Sequence, residues 1–267
     1  MMNGSHAATG LLVGVAATGV EAALTGAPAG PIAFAVGGFV TAGAALLPDI
    51  DHDESTVTRS AGLVTRTLAE VLQWVARRAF AATRTPHDPD GDGEHRGLIH
   101  TPAFAVLLGV LVAVGSAVSE WIGLAVVWLM LTAALRSLRW SLPNSLRTAL
   151  RLHWRTGPAS YALGAIAALV SLGAQDALGP RLGVLVALGM VVHSIGDGLT
   201  NSGIPFAWPF RLRCDRGCSR PGCRGQRWRR LGVLPARLRF STGSPIERGI
   251  ELTSLLAAGG LVLLHFA

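Results

Sequence analysis

Seven stretches of this chain are too long and too apolar to sit comfortably in water, and they dominate what it can fold into. They run over 7–25, 30–47, 102–119, 121–138, 159–175, 181–200 and 249–266. A bilayer core is crossed by about 17–25 mostly apolar residues in a helix. In lipid the backbone N–H and C=O groups have only each other to bond, which favours helices that satisfy their own backbone. The predicted architecture is therefore all-α: a polytopic transmembrane helical bundle of about seven spans, with residues 1–267 forming a single membrane-embedded domain. Composition agrees, since 50% of residues are hydrophobic and only 15% are charged, for a mean hydropathy of +0.45. The 33 glycines suit closely packed transmembrane helices. Hydrophobicity this high, with no strict glycine repeat, excludes a disordered or collagen-like chain.

Charge supplies the orientation. All 23 basic residues are arginine, against 16 acids, for a net +7. Six lie in 48–101, four in 139–158 and eleven in 201–248; Arg136 directly precedes the second segment, and Arg181 alone lies elsewhere. With seven alternating spans these three segments share one side, which the positive-inside rule assigns to the cytoplasm. The expected topology is a multi-pass protein of a bacterial-type plasma (inner) membrane, amino terminus inside and carboxy terminus outside. Two parts of the cytoplasmic side read as amphipathic helices that do not span. Residues 63–80 place Val64, Leu68, Val71, Leu72 and Val75 on one face and Arg66, Glu70, Gln73 and Arg77 on another. Residues 142–155 set Leu142, Leu146, Leu150 and Trp154 beside Arg147, Arg151 and Arg155. Such helices lie in the interface against anionic lipid headgroups or cover the end of a bundle. Membrane lipids are thus the expected partners. No helix-turn-helix, zinc-finger spacing or RNA-binding motif accompanies the basic charge, so no specific nucleic acid is expected.

Most of the chemistry-bearing residues sit in five short strings, and the topology brings all five to one membrane face. These are His6 before the first span; Asp49, Asp51 and His52 after the second; His95, Arg96 and His100 before the third; His193 and Asp197 at the end of the sixth; and Glu247 at the start of the seventh. Ionisable groups near lipid are costly unless they have partners or a function. His193 and Asp197 are four apart, hence on one helix face, where they can ligate one ion or orient each other. Asp49, Asp51 and His52 read as alternating donors on an extended stretch. Mixed imidazole and carboxylate donors suit zinc, manganese or iron better than magnesium or calcium. Nine candidate ligands, His6, Asp49, Asp51, His52, His95, His100, His193, Asp197 and Glu247, exceed one tetrahedral shell, which points to one or two divalent ions. Asp49 or Asp51 is the candidate to orient a water, and Arg96 to neutralise a developing phosphate charge.

The ordered set of His6, Leu47-Pro48-Asp49-Ile50-Asp51-His52, His95-Arg96-Gly97-Leu98-Ile99-His100, and Gly189, His193, Asp197, Thr200 and Gly203, followed by Pro209-Phe210, resembles the YdjM-like family. That family comprises LexA-regulated inner-membrane proteins classed as metal-dependent hydrolases. Its His/Asp pattern is in turn similar to that of zinc-dependent phospholipase C and the fungal single-strand nucleases. The resemblance covers nearly the whole chain and implies phosphoester hydrolysis, of a phospholipid or prenyl phosphate for a site at the interface, with His193, Asp197 and Glu247 carried over as ligands. Those soluble enzymes use their amino-terminal residue as a ligand, and the nearest equivalent here is the internal side chain of His6. Residues 211–240, with ten arginines and Cys214, Cys218 and Cys223, read as a cytoplasmic insertion beyond the family pattern.

Other polar features read as incidental. The three cysteines lack a fourth nearby ligand and imply no disulfide framework. Twelve positions along the acidic run that begins at Asp88 stands Ile99 rather than the glutamate of a calcium loop, so the run reads as solvated. His87, His153 and His265 lie away from the strings. The apolar start lacks the positive charge of a secretory signal. Two rival functions are a transporter, which would place polar residues at mid-membrane depth, and a non-catalytic lipid- or partner-binding protein, which would tolerate alanine at the His and Asp strings. For the topology, a reporter fused after His265 is expected to read as non-cytoplasmic; a cytoplasmic reading overturns the span parity.

Overall fold

The computed structural model describes residues 1–52, 55, 57–58, 62–91, 93, 96–141, 145, 157–173, 179–213 and 225–267. Most of the amphipathic stretch expected over 142–155, together with His95 and the three cysteines, lies outside the described residues. Among the described residues eight α-helices carry the fold: α1 (Asn3–Thr25), α2 (Pro31–Ala44), α3 (Leu63–Thr83), α4 (Pro102–Val118), α5 (Glu120–Leu138), α6 (Gly157–Gly173), α7 (Pro180–Gly198) and α8 (Pro245–Phe266). Among the described residues there is no strand, only three isolated bridges.

Five helices are long and apolar enough to cross a membrane: α1, α2 with its continuation to Asp51, α5, α7 and α8. Of the about seven spans expected, these five reach that length among the described residues; α4, at 17 residues, and the apolar Ser160–Val170 part of α6 are shorter. Apolar side chains cover the outside as well as the inside. Val106, Leu107, Val110, Leu111 and Val114 of α4 are exposed, as are Leu252, Leu256, Leu263 and Leu264 of α8. Exposed apolar surface of this extent is a liability in water and the normal condition of a lipid-facing helix.

α1 packs against α2, α7 and α8, α4 lies along α7, and α5 sits between α2 and α6. The approach of α2 to α7 depends on Gly189: a Cβ there would lie 2.4 Å from the Thr41 carbonyl oxygen and 2.6 Å from Ala44 Cβ. Gly196 does the same for α1, since its Cβ would meet His6 at 3.1 Å. Small residues of this kind let transmembrane backbones approach closely, and these two lie one turn or less from His193 and Asp197.

The end of α2 follows from Pro48. A proline lacks the N–H for an i→i−4 bond, and its ring clashes with the carbonyl four residues back, which here is Ala44, the last residue of the helix. The chain then tightens into a 3-10 helix, Leu47–Asp51. A second 3-10 helix, Leu98–His100, leads into α4. Its exit is set by Thr101, whose Oγ1 accepts from Phe104 N at 3.1 Å as an N-cap, with Pro102 following at the first helical position.

α3 caps this end of the bundle and touches both 3-10 helices. The sequence reading grouped Val64 and Val71 with Leu68, Leu72 and Val75, but the structure splits that set. Ala69, Ala76 and Phe80 are buried with Leu68, Leu72 and Val75 against them. Val64 and Val71 join Leu63 and Trp74 in an exposed stripe. The small side chains of Ala69 and Ala76 let the helix settle onto the turns beneath it, which rotates Val64 and Val71 outward. Residues 225–240, read from sequence as part of an insertion, are tied into the same end: Leu231 pairs with Ile204, Phe240 with Thr200, and Gln226 with Leu212. Substituting Gly189 with Leu is expected to separate α2 from α7 at a cost of about 1–3 kcal/mol. Thermal unfolding in detergent measures this, and an unchanged midpoint would show that the approach tolerates a side chain.

Candidate metal centre

The break at Pro48 leaves the Ala45 carbonyl without its helical donor, because Asp49 N bonds to Leu46 O instead, at 3.2 Å. His193 supplies the missing partner: its Nδ1 lies 2.8 Å from Ala45 O. That bond assigns the proton to Nδ1 and leaves the Nε2 lone pair free to bind an electrophile, the arrangement typical of a histidine metal ligand.

His193 Nε2 lies 3.7 Å from Asp49 Oδ1 and 3.7 Å from Asp197 Oδ2. His100 Nε2 lies 3.7 Å and 3.8 Å from the same two oxygens. Ligands about 2.0–2.2 Å from a tetrahedral ion stand roughly 3.3–3.6 Å apart, so each of these four imidazole–carboxylate separations, drawn from three parts of the chain, is within a few tenths of an ångström of such a ligand–ligand edge. His6 adds a second group. Its ring stacks on His193 with centroids 3.8 Å apart, and its Nε2 is 3.4 Å from Asp197 Oδ1. Two ligand sets result, His6–His193–Asp197 and Asp49–His100–His193, sharing His193.

The donor set fits an ion on a further ground. His6, His100 and His193 are fully buried, and Asp197 is 1% exposed. Both ring nitrogens of His6, Nε2 of His193 and Oδ2 of Asp197 have no aligned hydrogen bond among the described residues. Buried polar atoms are rarely left so, and these buried imidazoles and carboxylates form groups that could hold a metal ion.

Other candidates take different positions. Leu47–Asp51 is a 3-10 helix, not the extended stretch expected, and at three residues per turn Asp49 and Asp51 point apart. Asp49 joins the ligands. Asp51 stands behind His100, its Oδ2 3.5 Å from Nδ1, and accepts from Arg96 N at 3.3 Å. His52 ends the turn exposed, outside both groups. Arg96 places Nε 3.3 Å and Nη2 3.4 Å from the Asp197 carboxylate. Glu247 is buried, but its carboxylate accepts backbone N–H bonds from Met2 and Gly243 and belongs to neither group. The Met1 nitrogen also reaches the site, 2.5 Å from Asp197 Oδ1.

Several supporting residues escaped the sequence reading. Ser194 Oγ donates to His100 O at 2.7 Å, locking α7 to the turn before α4. Gln73, assigned to the polar face of α3, donates through Nε2 to Asp51 O at 3.0 Å. Asp88, expected in a solvated run, accepts from Thr85 N at 2.6 Å and Trp228 N at 2.8 Å. The only sequence signals were adjacency to a ligand for Ser194 and a polar residue amid an amphipathic helix for Gln73. His265 lies against Phe34, with ring centroids 4.6 Å apart, away from these groups.

Fold and site together define a multi-pass helical membrane protein with a buried His/Asp centre at one end of its bundle. The chain belongs to the YdjM inner membrane protein family, whose sequence profile matches residues 1–264. No curated protein and no solved structure matches it.

Elemental analysis of purified protein is expected to find a bound divalent metal, lost in His193→Ala and in Asp197→Ala. Asp51→Asn should weaken metal affinity about 10–100-fold, the usual effect of removing a carboxylate that orients a ligating histidine. Glu247→Gln is expected to retain the metal. Retention in His193→Ala would dismiss both ligand sets.

Proposed function

We propose that this protein is a metal-dependent hydrolase of phosphoesters that reach it through the membrane, such as a phospholipid or prenyl phosphate, acting at the cytoplasmic face. The observation that carries this reading is the pair of ligand sets that share His193, His6–His193–Asp197 and Asp49–His100–His193, with the imidazole Nε2 atoms of His100 and His193 each 3.7–3.8 Å from Asp49 Oδ1 and Asp197 Oδ2. Zinc is the best-suited ion, with manganese or iron as alternatives, and one or two ions fit the two sets that share His193. A divalent cation held there supplies a water of lowered pKa and polarises a phosphoryl oxygen.

The protein's own groups have distinct tasks. His193, its proton committed to Ala45 O, and His100, backed by Asp51, present fixed Nε2 lone pairs. Asp49 is the most open carboxylate of the cluster, with its side chain 17% exposed, and is therefore suited to accept a proton from the attacking water. The other candidate by sequence, Asp51, is spent on His100 and orients rather than reacts. Arg96, forked onto Asp197, offers a fixed positive charge where charge builds on the phosphoryl oxygens. Burial of the cluster lowers the local dielectric and strengthens each of these interactions.

The cytoplasmic assignment gains from the one arginine that departs from the pattern. Arg181 Nε sits 2.8 Å from Glu21 Oε2 at the other end of α1 and α7, so its charge is balanced on the spot and adds little weight on that side. In the sequence all but one of the other arginines fall in the segments 48–101, 139–158 and 201–248, the exception being Arg136.

Purified, metal-loaded protein is expected to release phosphate or a phosphorylated headgroup in a screen of phospholipids, prenyl phosphates and nucleotides. His193→Ala and Asp197→Ala should reduce turnover by about 100-fold or more, in line with loss of a ligand. A metal-loaded wild type that hydrolyses none of these substrates overturns the proposal.

A further inference from the structure

Next to the metal centre is a cavity of about 180 Å³ whose lining includes Arg96, Arg230, Asp90, Phe80, Trp228 and Pro205. We propose that this cavity is the anion subsite that seats the phosphate-bearing part of the substrate beside the metal, with Arg96 and Arg230 as its two cations and Trp228 as its rigid wall. The inference rests on the phosphoester reading for the chemical identity of the anion.

Arg96 links the two sites. Its guanidinium is anchored to Asp197 through Nε and Nη2, while Nη1 is buried and has no hydrogen-bond partner among the described residues. A buried guanidinium donor left over after an ion pair is a ready partner for a phosphate oxygen. The residue is also held in an unusual backbone conformation, φ 54°, in the left-handed region that non-glycine residues seldom occupy. Its N–H is thereby tied to Asp51 Oδ2 while its side chain reaches Asp197. A conformation of this kind persists where surrounding contacts hold it, commonly at functional sites.

Arg230 also lines the cavity, from the segment that sequence alone marked as an insertion, and among the described residues Asp90 is the one acid of the lining. The wall itself is fixed. Trp228 Nε1 donates to Thr83 Oγ1 at 3.1 Å and its backbone N to Asp88 Oδ1 at 2.8 Å. Its ring packs on Phe80 and Trp208, with centroids 5.2 Å and 5.4 Å away. A site ordered before the ligand arrives loses less entropy on binding. The cavity, about 180 Å³, has room for a phosphate group.

Binding of glycerol phosphate in solution, and of vesicles containing phosphatidic acid against vesicles of phosphatidylcholine alone, would be measured on wild type, Arg230→Ala, Arg230→Lys and Arg237→Ala, each with its metal content determined. Arg237 is an exposed arginine of the same segment that does not line the cavity. Loss of one charge-assisted hydrogen bond is expected to weaken phosphate binding by Arg230→Ala at least about tenfold, with partial recovery in Arg230→Lys, no change in Arg237→Ala and metal retained in all. Binding to both probes, to the vesicles alone or to glycerol phosphate alone identifies the phosphate's source and supports the subsite. Equal losses in Arg230→Ala and Arg237→Ala, or no binding of either probe, overturn it. Metal-loaded protein without Arg230-dependent binding removes the subsite and leaves the metal centre standing. Arg230-dependent binding by metal-free wild type keeps the subsite and removes the hydrolase.

Discussion

The bond from His193 Nδ1 to the carbonyl of Ala45 organises the rest of the centre. Pro48 ends α2 at Ala44 and so creates an unsatisfied carbonyl in a part of the molecule where water cannot reach it. The cost of leaving a buried carbonyl unpaired, about 1–3 kcal/mol, is offset only because α7 delivers an imidazole to it. α7 can do so because Gly189 allows it to lie against the end of α2. A single backbone break therefore generates both the 3-10 helix that carries Asp49 and Asp51 and the acceptor that sets the tautomer of the central histidine.

From that bond outward, the surroundings restrain His100 at both its backbone and its ring. His100 is held through its carbonyl by Ser194 and through its ring by Asp51; Asp51 is held by Gln73 and Arg96. α3, lying across both 3-10 helices, closes the assembly from above. Polar networks at low dielectric are stable when nearly all members are satisfied, and the atoms left over here, on His6, His193 and Asp197, are gathered at one point.

Much of this was legible in the chain, for reasons that can be stated residue by residue. His193 and Asp197 were readable because four residues make one helical turn and a bit more, which fixes a shared face without tertiary information. His6, Asp49 and His100 were readable because arginine-rich segments fix which ends of the spans meet. The Asp49–Asp51–His52 string was misjudged because an extended chain alternates its side chains, whereas a 3-10 helix turns them by a third of a circle per residue. Only the packing beneath Pro48 decides between these. Glu247 had the right residue type at the right depth, but its carboxylate was taken by backbone N–H groups of Met2 and Gly243, donors that sequence spacing cannot bring together. The span count exceeded what helix length supports in α4 and α6, because hydropathy records apolar character and not where a helix starts and stops.

The pair formed by Glu21 and Arg181 has a mechanical meaning. α1 and α7 are joined at one end by the ring stack of His6 on His193 and at the other by this ion pair. Twelve residues separate Arg181 from His193, about 18 Å of helix at 1.5 Å per residue. Two rods pinned at both ends resist sliding, and a slip of one turn, about 5.4 Å, would carry His6 past its partners entirely. The register of the candidate ligands is thus gauged in part from the opposite end of the two helices.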